Sequence, residues 1–243
     1  MKRTLAILLL AQIVLGIAYS LATPIFEASD EIWHYPVVRE IAVNRRLPVQ
    51  DPAMETAWAQ EGSQPPLYYA VGALLTGGVD ISDYAAAAVR NPFAKLGVPL
   101  ATDNKNMVVH PPGQRFAQGG TVLAVVLIRW LSVLMGTATA FLAHLLGRTI
   151  YPARPAVGLL TAALVAFNPM VLFINASVNN DNLVMLLSTL TLLLLVRDVQ
   201  SDEPGARWGS TLLLGAILGL AAITKVSGLV LLPVAVLALA LSA

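Results

Sequence analysis

Long apolar runs separated by short polar breaks make up most of this chain, and one long polar stretch interrupts them. Leu5–Leu21 follows Lys2-Arg3 as an apolar run of about 17 residues, longer than the roughly 7–15 residues of a secretory signal's apolar region. It predicts an uncleaved signal-anchor helix over 1–22; cleavage after Ala22 is the alternative reading. The chain returns to the membrane from Phe116, and Thr121–Leu146, Ala156–Phe173, Leu183–Val196, Trp208–Ile223 and Ser227–Ser242 read as further spans. The pattern predicts an all-α integral membrane protein of about six transmembrane helices, with a bundle over 121–243. Residues 23–120 are too polar and too proline-rich to span, and predict a large, partly helical first outer loop.

That loop has a pattern of its own. Ser29 can cap a helix whose first turn carries Asp30 and Glu31, where the helix dipole favours anions. Tyr35, Val38, Ile41 and Ala42 then form an apolar stripe, with Pro36 early enough to bend or delay the helix rather than abolish it. A second run, Gln64-Pro65-Pro66-Leu67-Tyr68-Tyr69 through Leu75, stops at Gly77-Gly78. It is too short to cross a bilayer and suits an interfacial or re-entrant helix with both tyrosines at headgroup level. Residues 79–113 read as loop, with a short helix near Tyr84–Arg90.

Charge sharpens the division. Only 12% of residues are charged, against about 25% in soluble domains, and residues 23–120 hold 17 of the 29 charges. A net charge of +1 argues against a nucleic-acid partner. The absence of cysteine excludes disulfides, thiol catalysis and zinc–thiolate sites. Basic residues in short connections, Lys2-Arg3, Arg148/Arg154 and Arg197/Arg207, mark the cytoplasmic side. The 23–120 loop, the Asn175–Asp181 turn and the Lys225 turn then share the outer side. The chain stops at Leu241-Ser242-Ala243 in or at the end of an apolar helix, which leads us to expect a C-terminal half or a partner chain beyond it.

One helix, an outer loop opening on Asp30-Glu31 and continuing through Gln64-Pro-Pro-Leu-Tyr-Tyr, then Asn168-Pro169-Met170, Val178-Asn179-Asn180-Asp181-Asn182 and Thr224-Lys225-Val226-Ser227-Gly228 follow in order. This succession resembles the N-terminal half of the GT-C superfamily of membrane glycosyltransferases, which includes the protein mannosyltransferase and aminoarabinose transferase-like families. It is especially similar to a poorly characterised bacterial branch. The resemblance covers nearly the whole chain. It implies a polyprenyl-phosphate sugar as donor, membrane lipids as surroundings, a bacterial cytoplasmic membrane, and an acidic residue of the first outer loop at the catalytic centre.

The chemistry fits those residue types. A sugar on lipid phosphate already has a good leaving group, so the enzyme needs a base for the acceptor hydroxyl or amine and a cation for the departing phosphate. Asp30 is the candidate base, with Glu31 beside it and His34 at i,i+4 to tune or relay a proton; the plainer reading makes both acids a helix start. Lys225 and Arg129, each alone in an apolar surrounding, are candidates for the phosphate, or else snorkel to headgroups. Asp181 and Asn180 can hydrogen-bond a sugar, or Asp181 can simply cap its helix. Gln64 either contacts substrate or caps the Pro65-Pro66 helix. Acidic residues near a divalent cation occur in the oligosaccharyltransferase branch of the superfamily, so Asp30 and Asp181 are the carboxylates an Mg or Mn ion can use here, although one acid among asparagines replaces an acid pair. His144, mid-span, reads as a satisfied bundle histidine. The competing function is a non-catalytic membrane subunit or a lipid or solute transporter, which would line a path through the bilayer with ionisable groups.

Overall fold

The computed structural model describes residues 1–51, 53–102, 104–114, 118–200 and 208–242, with only the backbone of Trp208, Leu241 and Ser242. Phe116, Arg207 and Ala243, and the 201–207 connection with them, lie outside the described residues. Within these bounds the chain is helical, apart from one isolated antiparallel bridge between Arg90 and Val108. The helices are α1 (Lys2–Ala22), α2 (Glu31–Asn44), α3 (Leu67–Thr76), α4 (Tyr84–Ala87), α5 (Gly120–Ile150), α6 (Pro155–Ala166), α7 (Pro169–Asn175), α8 (Asp181–Val199), α9 (Trp208–Ala222) and α10 (Leu231–Ser242). Two 3-10 turns, Ala59–Ser63 and Val226–Val230, join them.

Three helices, α1, α5 and α8, are long and apolar enough to cross a membrane. The expected Ala156–Phe173 span is instead a bent pair, α6 and α7, with 63° between them. The cause is local. Asn168 accepts from the amides of Met170 and Val171, and Pro169 takes the first helical position, so α7 starts afresh. Counting that pair as one gives four spans. The last two expected spans are shorter apolar helices, α9 and α10, parted by the break at Thr224-Lys225.

The 31-residue α5 is the axis of the bundle, packed against α1, α6 and α8. Above its N-terminal half sits a core built from the 23–120 stretch: Phe26, Tyr35, Val38, Tyr68 and Tyr69 close over Ile128 and Val178. Asp83 ties the loop down by accepting from the amide and hydroxyl of Thr121 in the first turn of α5, at 2.8 and 2.7 Å. Glu27 does the same for the far end of the loop, accepting from the amides of Met107 and Val108 and pairing with His110 at 2.8 Å. Leucines and valines on the outward sides of α1, α9 and α10 remain exposed, as a lipid-facing surface requires.

The strongest tie is Glu31 with Arg129, both fully enclosed. Nε and Nη2 of Arg129 donate to the two carboxylate oxygens, and Nη1 and Nη2 donate to the carbonyls of Ser20, Thr23 and Pro24. All five N–H donors of the guanidinium are thereby used. Glu31 also accepts from the amides of Phe26 (2.8 Å) and Val178 (2.9 Å). This corrects two expectations: Arg129 has no donor left for a phosphate, and Glu31 has no lone pair left for an acceptor. Removing one partner strands the other's charge. Arg129→Met should lower unfolding stability by about 3–5 kcal/mol, and adding Glu31→Gln should recover part of it, read as the thermal unfolding midpoint in detergent.

Candidate active site

Four segments distant in sequence meet at one end of the bundle: the start of α2, the 59–69 segment, the 179–182 turn, and Thr224-Lys225. Each is shaped by its own sequence. Asp30, rather than Ser29, is the N-cap of α2, and it stands in the left-handed region at φ 56°. That conformation is unusual for a residue with a Cβ. Its carboxylate makes no capping bond; Ser29 Oγ, at 3.5 Å, is its hydrogen-bond contact. The helix then runs unbroken through Pro36.

The Ala59–Ser63 turn curls against the Trp58 ring, and it can do so because Gly62 is glycine: a Cβ there would lie 2.3 Å from Trp58 Cδ1. The turn buries Glu61. On the third segment, Asn182 Nδ2 donates to the carbonyls of Ile174 and Asn179, and Asn179 Oδ1 accepts from the amide of Asp181 at 2.8 Å. Asn179 thus satisfies the helix start and leaves the Asp181 carboxylate free of capping. On the fourth, Gly228 approaches Ala221 so closely that a Cβ would meet its carbonyl oxygen at 2.4 Å, which folds the Lys225 turn onto the end of α9.

The side chains then converge. Lys225 Nζ donates to Asp181 Oδ1 at 2.6 Å, with both side chains partly open to solvent, 25% and 39% exposed. Asn180, fully buried, reaches Gln64 Oε1 at 3.5 Å and the Thr224 carbonyl at 3.3 Å. Gln64 ends the 3-10 turn and does not cap α3, whose N-cap is Pro66. His34 Nδ1 lies 2.7 Å from Tyr69 Oη and 3.4 Å from Glu61 Oε2. The start of α2, with Asp30 and His34, is therefore brought within electrostatic range of the Asp181–Lys225 pair, with Gln64 and Asn180 beside that pair, while Glu31 and Arg129 are locked beneath. Glu61 and Tyr69 complete the cluster and are the members that sequence reasoning missed. Glu61's only signal is its position three residues before Gln64-Pro65-Pro66. A separate cavity of about 580 Å³, lined by Thr23, Ile25, His110, Gln114, Val122 and Val126, opens on the other side of Arg129 and includes none of the clustered groups.

The donor set does not suit a resident Mg or Mn ion. Among the described residues no three His, Asp or Glu side chains gather at ligand spacing. Lys225 already holds Asp181 with an ammonium where a divalent cation would need bare oxygen. His144 Nδ1 is buried without a hydrogen-bond partner among the described residues, so the expected satisfied histidine is not what the bundle contains.

Burial, reinforced by the Lys225 ammonium and partly opposed by Asp181, lowers the pKa of His34 to about 4. Burial first, and then the charge of Asp30, raises that of Glu61. Both groups lie in the 23–120 stretch outside the spanning helices, and their effects on stability have opposite signs. As pH falls from 6.5 towards about 4, the unfolded chain takes up a proton that folded His34 refuses, which costs on the order of 3 kcal/mol. Glu61 stabilises the fold below its ordinary value of 4.5, and that contribution is lost as pH rises through its folded value. In thermal unfolding, His34→Gln should therefore lose less stability than wild type between pH 6.5 and 4.5.

Residues 111–243 match the model of the dolichyl-phosphate-mannose-protein mannosyltransferase family. The matched part carries Asn180, Asp181 and Lys225; Asp30, His34 and Glu61 precede it. No curated protein and no solved structure matches the chain. More than half of the chain lies in the family match, and its helices carry the apolar length that a membrane requires. This chain belongs to the dolichyl-phosphate-mannose-protein mannosyltransferase family and is an integral membrane glycosyltransferase of the GT-C type.

Proposed function

We propose that the protein moves a sugar from a polyprenyl-phosphate donor to an acceptor hydroxyl or amine, with Asp30 as the base. The observation that carries this reading is the state of the Asp30 carboxylate. It is held by a left-handed backbone at a helix start, is not spent on capping, and its charge acts on Glu61, which the charge of Lys225 also reaches. Its neighbour Glu31 is consumed by Arg129, so of the two adjacent acids only Asp30 is available.

Transfer makes two bonds and breaks two. Asp30 takes the proton of the acceptor O–H, the acceptor oxygen attacks the anomeric carbon, and the bond from that carbon to the phosphate oxygen breaks with its electron pair. The phosphodiester monoanion becomes a phosphate monoester dianion as Asp30 becomes neutral. Lys225, partly open to solvent and set in a tight turn, supports the reading as the cation for that growing charge. Gln64, a half-buried neutral amide beside it, suits a hydroxyl group of the sugar, with the fully buried Asn180 holding it in place. The basic ends of α1 and α8, and Arg148 and Arg154 between α5 and α6, lie at the opposite ends of their helices from the cluster. By the positive-inside rule this supports a site on the outer face of a bacterial cytoplasmic membrane.

In membranes supplied with polyprenyl-phosphate mannose, Asp30→Asn should reduce sugar release by about 10²–10⁴-fold. Unchanged release by a properly inserted variant would refute Asp30 as the base. Lys225→Ala should cost about 10²–10³-fold in the same assay, with Lys225→Arg restoring part of it.

A further inference from the structure

Among the described residues, no Lys or Arg side chain is bonded to the Glu61 carboxyl group. Its side chain is 9% exposed, and a carboxylate at that depth needs a paired positive charge or holds a proton. The groups that act on it come from every element around it: His34 within α2 by contact, Gln60 on its own turn by a hydrogen bond, and Asp30 at the start of α2, Tyr69 on α3, Asp181 on α8 and Lys225 before the second 3-10 turn through their charge or polarity. Of the two that can carry positive charge, Lys225 is bound to Asp181 at 2.6 Å. His34 presents Nδ1 at 3.4 Å but shares that atom with Tyr69 Oη at 2.7 Å, and burial keeps its ring neutral at neutral pH.

On the reading that Asp30 is the base, we propose that Glu61 is a positioning residue that works in its protonated form beside His34, whose Nδ1 Tyr69 also holds, so that Asp30 is ionised without a second uncompensated negative charge near it. The physical need arises in the transfer step. The departing phosphate gains a unit of negative charge next to the cluster, and an ionised Glu61 would oppose that gain in a poorly solvated place. A neutral Glu61 does not, and Lys225 is then left to serve the phosphate. The burial and the Asp30 charge that raise the pKa of Glu61 act in the same direction as this requirement. Because the proton stays on Glu61 throughout, the balance of the transfer between acceptor, Asp30 and phosphate is unaltered.

The test is the pH profile of mannose release from polyprenyl-phosphate mannose by the membrane-embedded protein, comparing wild type, Glu61→Gln, Glu61→Ala and Asp30→Asn. Wild type should decline on the alkaline side as Glu61 ionises. Glu61→Gln, which fixes the neutral form, should abolish that decline, and Glu61→Ala should lower the rate by about tenfold or more at every pH. A Glu61→Gln profile that keeps the wild-type alkaline decline, a wild-type profile without one, or an inactive but folded Glu61→Gln would each overturn the proposal. Full activity of Asp30→Asn refutes the base assignment instead, and leaves Glu61 to be judged by infrared spectroscopy of the carboxyl stretch. A protonated-carboxyl band present at neutral pH and removed by Glu61→Gln upholds the protonated state. Its absence rejects it.

Discussion

The buried pair of Glu31 and Arg129 is the constraint on which the rest of this molecule depends. It joins residues 98 apart in sequence, and through its remaining bonds it collects the end of α1, the turn before α2, and the loop before α8. An ion pair this deep gains little net stability by itself, because desolvation offsets much of the attraction. What it supplies is geometry: once both charges are enclosed, every bond must be kept. Asp30 precedes Glu31 directly, so fixing Glu31 downwards against α5 leaves Asp30 at the left-handed corner above it.

The site is thus a surface layer laid over a structural one. Beneath are two buried hydrogen-bonded pairs, Glu31 with Arg129 and Tyr68 with Ser132. Above are Asp30, Glu61, Asp181 and Lys225, drawn from four segments and left with some freedom. Tyr68 and Tyr69 belong to one of each. Tyr68 Oη meets Ser132 Oγ at 2.8 Å in the lower layer, and Tyr69 Oη meets His34 in the upper. One tyrosine pair in sequence therefore couples the scaffold to the chemistry.

How much of this was legible depended on the range of the signal. Apolar runs declared the helices, because a bilayer demands about 20 residues of hydrocarbon-compatible helix. The Pro-Pro-Leu-Tyr-Tyr start of α3 and the Asp-Glu start of α2 were equally local. The Asn168-Pro169 break was written in the sequence as a cap followed by proline, yet the unbroken hydropathy across it read as one span. The fate of Arg129 was not legible at all. A lone arginine in an apolar helix looks the same whether it snorkels, binds phosphate or meets a glutamate from a distant loop. Glu61 was hidden for another reason. Its burial follows from the fit of Gly62 against Trp58, a packing detail that no periodicity announces.

The central claim is that a lipid-linked phosphate is handled between Lys225 and Asp30. The most direct measurement is a structure of the protein in a lipid nanodisc with a non-hydrolysable polyprenyl-phosphonate sugar. The phosphonate should lie within hydrogen-bond reach of Lys225 Nζ, displacing it from Asp181, with the anomeric carbon turned towards Asp30. A phosphonate seated elsewhere, with the Lys225–Asp181 pair intact, would contradict it.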